Sequence, residues 1–124
     1  MKYSEVNIEI PYLKDIKSGD KTVEGRLNRG KYAGYKPLDL ICFRPSIYSK
    51  KTSKLKKNTE NVNVKILKIE KFLSFEEMLK KVGYKKAVPR AKSFKEALSV
   101  YRGFYTLQEE KTYGILAIYI ELIS

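Results

Sequence analysis

At 124 residues the chain suits one compact domain, and a hydrophobic content of 43% makes disorder a poor default. It has no histidine and one cysteine, Cys42, which excludes His-based triads, His-ligated metals, structural zinc and an internal disulfide. Lys plus Arg number 26 against 14 acids, a net charge of +12, so polyanions such as RNA, DNA or nucleotides are the expected partners.

The longest apolar stretch, Ile115 to Ile123, is broken by Tyr119 and Glu121 and is too short to cross a bilayer. Met1 to Glu5 lacks the apolar core of a signal peptide, and neither a P-loop nor a dinucleotide-type glycine loop is present. The expectation is an intracellular monomer without membrane association, metal or cofactor.

In chain order, Val6 to Ile10 alternates and predicts a first strand. Pro11 can start a helix over Tyr12 to Ser18, with Tyr12, Leu13 and Ile16 on one face and Gly19 as a left-handed C-cap. Thr22 to Leu27 then reads as a strand that sets Thr22, Glu24 and Arg26 on one face, with Lys21 at the entrance of that row. A hydroxyl, a carboxylate and a guanidinium on one face can bind a polar ligand. They can equally form an ion pair that organises the sheet.

Asn28 to Tyr35 reads as a loop, Lys36-Pro37-Leu38-Asp39 as a turn, and Leu40 to Phe43 as a strand holding a buried, unactivated Cys42. Pro45 to Glu60 is expected to be a mobile basic loop. Its Lys50, Lys51, Lys54, Lys56 and Lys57 form a candidate nucleic-acid surface or a solvated charge run. Asn61 to Phe72 predicts a long strand whose apolar phase shifts after Ile66, the mark of a bulge. Ser74 with Glu77, Ser93 with Glu96, and Thr106 with Glu109 are capping boxes that start three helices. The first buries Phe75, Met78, Leu79 and Val82 and stops near Gly83. The second carries Phe94, Ala97, Leu98, Tyr101, Phe104 and Tyr105 at helical spacing, and the third is a single turn before Tyr113. Ile115 to Ile123 closes the chain as a buried strand. Strands and helices without regular alternation point to an α+β fold around a small mixed β-barrel with three or four flanking helices.

Gly19-Asp20-Lys21-Thr22-Val23-Glu24-Gly25-Arg26-Leu27 resembles the G-x-K-x-x-E-x-R signature of ASCH domains, named after activating signal cointegrator homology. The resemblance continues through Lys36 to Asp39, where the family has a Pro-Gly-Asp turn, and through Phe75 to Leu79. Val100 to Tyr105 and Tyr113 to Ile118 look like small single-domain members. It implies one PUA-like domain over residues 1–124, with a cleft for RNA or a nucleotide-like ligand. Leu38 stands where the turn glycine is usual, which is tolerable if its φ stays negative.

On this resemblance the ligand-binding candidates are Lys21, Thr22, Glu24, Arg26, Tyr101 and Arg102. Lys21 and Arg26 would hold phosphate or a base carbonyl, Glu24 would accept from an amino or hydroxyl group, and tyrosines would stack on bases. An alternative is a metal-independent amidohydrolase on N-acyl cytidine, or an RNA hydrolase, with Lys21 and Glu24 as catalytic candidates. The amidohydrolase branch uses lysine, threonine and glutamate. Here Glu24 holds the threonine's place, and only Glu76 and Glu77 lie near for the glutamate. A second alternative is a protein-interaction adaptor with a vestigial cleft.

Overall fold

The computed structural model describes residues 2–46 and 59–123. The five candidate surface lysines between Lys50 and Lys57 lie outside them.

Five strands form one mixed, curled half-barrel sheet in the order β1-β3-β4-β5-β2: β1 Tyr3–Ile8, β2 Val23–Leu27, β3 Leu40–Pro45, β4 Val62–Phe72 and β5 Ile115–Leu122. Among the described residues only β1 and β3 run parallel. The fold is therefore α+β, as expected, but among the described residues the barrel does not close. β1 and β2 are both edge strands, and a seam separates them.

Two cores lie on the two faces of the sheet. On one, the helix α1 (Ile10–Ser18) inserts Leu13 and Ile16 among Val6, Phe43, Val64 and Ile118. Full burial of such a side chain stabilises by about 1.5–3 kcal/mol. Pro11 sits in the first turn of α1, where a missing N–H costs nothing, and Gly19 ends it at φ 87°. On the other face, α2 (Phe75–Val82), α3 (Tyr84–Ala87) and α4 (Phe94–Phe104) pack on Val23, Leu27 and Ala117. The last helix, α5 (Leu107–Tyr113), leads into β5.

Helix count and bounds differ from expectation in identifiable ways. The described residues hold five α-helices, because α3 forms between Gly83 and Val88 and α5 runs two turns. Asn28 to Tyr35 contains a 3-10 helix, Gly30–Gly34. β1 starts at Tyr3 and yields at Glu9 to a helix that begins one residue before Pro11. Ser74 and Ser93 cap their helices by accepting from the N–H groups of Glu77 and Glu96, but only Thr106 and Glu109 complete a reciprocal box. Cys42 is half-buried, with its neighbours Ile41 and Phe43 taking the core positions. The β4 register slips between Ile66 and Lys68, where the apolar phase placed the bulge. Leu38 has φ 78°, so the condition of a negative angle under which it replaces the turn glycine without strain is not met; its N–H donates to the Ile66 carbonyl at 2.7 Å.

Candidate functional site

The row on β2 comes out in a specific order of depth. Lys21 precedes the strand and is 4% exposed; it lies at the bottom of the site, whereas the sequence placed it at the entrance. Its Nζ donates to the Val23 carbonyl at 2.9 Å and the Ala87 carbonyl at 2.5 Å, and it lies 3.3 Å from Glu24 Oε1. All three ammonium hydrogens thus have acceptors. Glu24, 5% exposed, also accepts at Oε2 from Arg26 Nε at 3.2 Å and from an Arg26 terminal nitrogen at 2.9 Å. Two further guanidinium N–H groups reach the Tyr32 hydroxyl at 3.1 Å and, across the seam, the Asn7 carbonyl at 3.3 Å. The ion pair contemplated as an organiser of the sheet is present, as one buried Lys21–Glu24–Arg26 network.

Electrostatics follow from this packing. Burial lowers the Lys21 ammonium below its ordinary value, and Glu24 only partly offsets it. Burial works against the Glu24 charge too, but Lys21 and Arg26 together outweigh it and hold the carboxyl below its usual value. The network carries one net positive charge.

Beside it opens a cavity of about 200 Å³. Its lining joins the ionic side chains of Lys21, Glu24 and Arg26 to the aromatic ones of Tyr101, Tyr105 and Phe104, from α4 and its end, and β1 supplies Asn7 and Ile8 across the seam. Tyr101 stacks on Phe75 at 4.5 Å, and Phe75 in turn stacks on Tyr105 at 5.3 Å, so the aromatic part of the lining is a braced array. Phe104 is 53% exposed and forms a rim. The Tyr101 hydroxyl is buried and has no hydrogen bond of adequate geometry among the described residues. Burial, with the Glu24 charge second, pushes its phenol well up, and the neighbouring Gly25 main chain offsets this only in part.

The cavity brings together Lys21, Glu24, Arg26 and Tyr101 of the sequence-derived set. Thr22 is exposed and outside the lining; its N–H bonds to the Lys86 carbonyl at 3.0 Å. Arg102, also outside the lining, pairs at 3.4 Å with Glu110, a buried acid that accepts from the Phe75 N–H at 2.8 Å. Glu76 and Glu77 lie outside it as well. Sequence reasoning gave no role to Asn7, which becomes a site residue only through strand order.

No group of three or more Cys, Asp or Glu among the described residues is placed to hold a metal ion, and no helix there is long and apolar enough to cross a membrane. Among proteins of curated function, none matches this chain. Two solved structures resemble it throughout. The crystal structure of the hypothetical protein PH0355 superposes with a TM-score of 0.81 at 36% identity, over 98% of this chain and 100% of that one. The solution NMR structure of protein PF0455 from Pyrococcus furiosus gives 0.75 at 33% identity, over 99% of each chain. The ASCH domain profile matches residues 6–124. The chain belongs to the ASCH domain family.

Proposed function

We propose that this protein is an intracellular RNA-binding or nucleotide-binding module whose cavity takes one unpaired base. The observation that carries this reading is the cavity's size and lining together. A cavity of roughly 150 Å³ accepts a benzene ring, and drug-sized ligands need roughly 300 Å³ or more. At about 200 Å³, a space lined by both ionic and aromatic side chains fits a single planar ring. Stacking on aromatic side chains contributes about 1–3 kcal/mol per base. The net charge of +12 draws the attached phosphates without specifying sequence.

Hydrolysis gains less from this geometry. A lysine acting as base or nucleophile needs a free lone pair, and the Lys21 Nζ has its three hydrogens directed at Val23, Ala87 and Glu24.

Fluorescence anisotropy with a labelled single-stranded RNA tests the reading, using wild type, Arg26→Ala and Tyr105→Ala at two salt concentrations. Affinity should fall in both variants at fixed salt, with melting curves confirming that each remains folded. Binding that follows salt and ignores both substitutions would reduce the interaction to surface charge and remove the cavity from it.

A further inference from the structure

Among the described residues the curled sheet ends on two strand edges, β1 and β2, that no further strand pairs, and the phase of the ladders fixes which main-chain groups look into the gap. In an antiparallel pair, residues that exchange hydrogen bonds alternate with residues that turn their N–H and C=O outwards. The Ile120 N–H bonds to the Thr22 carbonyl, and the Asn28 N–H to the Gly114 carbonyl, each at 3.0 Å. Between them the register sets Glu24 opposite Ile118 and Arg26 opposite Leu116. Glu24 and Arg26 are therefore the bonded residues, and Val23, Gly25 and Leu27 present their main chain to the seam.

Two of those three carbonyls are occupied, Val23 by Lys21 Nζ and Leu27 by the Arg29 N–H. On β1 the Ile8 carbonyl accepts from the Ser46 N–H at 2.8 Å, so Glu5 and Asn7 are the outward residues. Their carbonyls are taken by Lys31 and Arg26. Gly25 remains. It is buried and lines the cavity; its outward N–H faces the Tyr101 hydroxyl without a full hydrogen bond, and its C=O has no well-formed partner among the described residues. The Tyr101 hydroxyl, met only weakly by that N–H, belongs to the same space, and a ligand that pairs with Gly25 takes the weak contact's place. A Cβ on residue 25 would stand 3.0 Å from Tyr101 Cε1 and from Met78 Cε, so glycine is what lets the ring close on this edge.

An extended residue offers its N–H and C=O side by side, as it would to a neighbouring strand. A planar ring with a donor and an acceptor on adjacent atoms can take that strand's place, and each unmodified base carries such a pair on its Watson–Crick edge. Resting on the base-binding reading above, we infer that the Gly25 main chain pairs with this edge: N–H to the base's acceptor, C=O from its donor, with the Tyr101 hydroxyl as a third contact. The ligand is then a base whose pairing edge is free, in a single strand or a loop, and a base in a duplex is rejected.

The experiment compares a short oligouridine with the same oligomer of N3-methyluridine, which lacks the donor. Both are titrated into the full chain and followed by ¹H–¹⁵N correlation spectra. Oligouridine should move the Gly25 amide proton downfield and bind roughly tenfold or more tightly than the methylated oligomer, the cost of one or two lost hydrogen bonds. Equal affinities, or binding that shifts other cavity resonances and leaves Gly25 unmoved, would overturn main-chain pairing while base binding stood. If neither oligomer perturbs any cavity resonance, the base-binding reading fails and this inference with it.

Discussion

The Lys21 ammonium donates to the Ala87 carbonyl at 2.5 Å, across 66 positions of sequence. This bond fastens α3 to the strand bearing Glu24 and Arg26, and the bond from the Thr22 N–H to the Lys86 carbonyl runs beside it. A cation at the end of a helix also meets the exposed carbonyls there favourably.

Lys21→Met keeps most of the apolar stem and deletes the charge. It strands the carbonyls of Val23 and Ala87 and leaves Glu24 with Arg26 alone. Stability should fall by about 3 kcal/mol, the cost of breaking a buried pair, seen as a lower urea midpoint at unchanged slope. A loss within about 0.5 kcal/mol, typical of surface substitutions, would deny Lys21 this role.

Glu24 governs part of the acid response. Its carboxyl is held below the ordinary 4.5 because the two cations outweigh the effect of burial. A carboxylate depressed in the folded state adds stability that is complete above the unfolded value and drains as pH falls through the folded one. Unfolding free energy should therefore decline below about pH 4.5, and Glu24→Gln should show a shallower decline. Some slope will persist from Glu70, held down first by the Tyr119 hydroxyl, and Glu109, held down first by the Thr106 N–H. Urea titrations from neutral to acid pH would show parallel curves if Glu24 contributed nothing.

Leu38 adopts φ 78° with its side chain 67% exposed, so it carries backbone strain without compensating burial. A non-glycine residue in this region costs about 1–2 kcal/mol, and glycine gives back part of that through unfolded-state entropy. Leu38→Gly should stabilise by about 0.5–1 kcal/mol, and Leu38→Ala should change little. Thermal unfolding of the two variants makes the comparison, and destabilisation by Leu38→Gly would mean the side chain packs more than its exposure indicates.

What the sequence made legible was whatever depends on local periodicity. Alternation placed Glu24 and Arg26 on one face, the phase change at Ile66 placed the bulge, and Ser74, Ser93 and Thr106 marked three helix starts. Four-residue α3 escaped because it has no period of its own and is held by Lys21 and Thr22 from across the domain. The depth of Lys21 and the part played by Asn7 were illegible for a related reason: both follow from the seam, which exists only once β1 has paired with β3 and β2 with β5. Arg102 lies one position past Tyr101 on α4, and helical geometry turns it from the cavity towards Glu110.

Tyr101→Phe separates stability from binding. The wild-type hydroxyl is buried without a well-formed hydrogen bond, a condition that costs about 1–3 kcal/mol, whereas the phenyl ring keeps its stack on Phe75. Removing the oxygen should therefore stabilise the free protein by about 1 kcal/mol, reduced by the small void left behind and by loss of the weak contact with the Gly25 N–H. The same change deletes a cavity donor, so affinity for single-stranded RNA should drop while the melting temperature rises. Opposite signs in the two measurements are what a binding group kept at the expense of stability requires. If Tyr101→Phe lowered both, the hydroxyl would be bonded in the free protein, and its place among the ligand contacts would be lost.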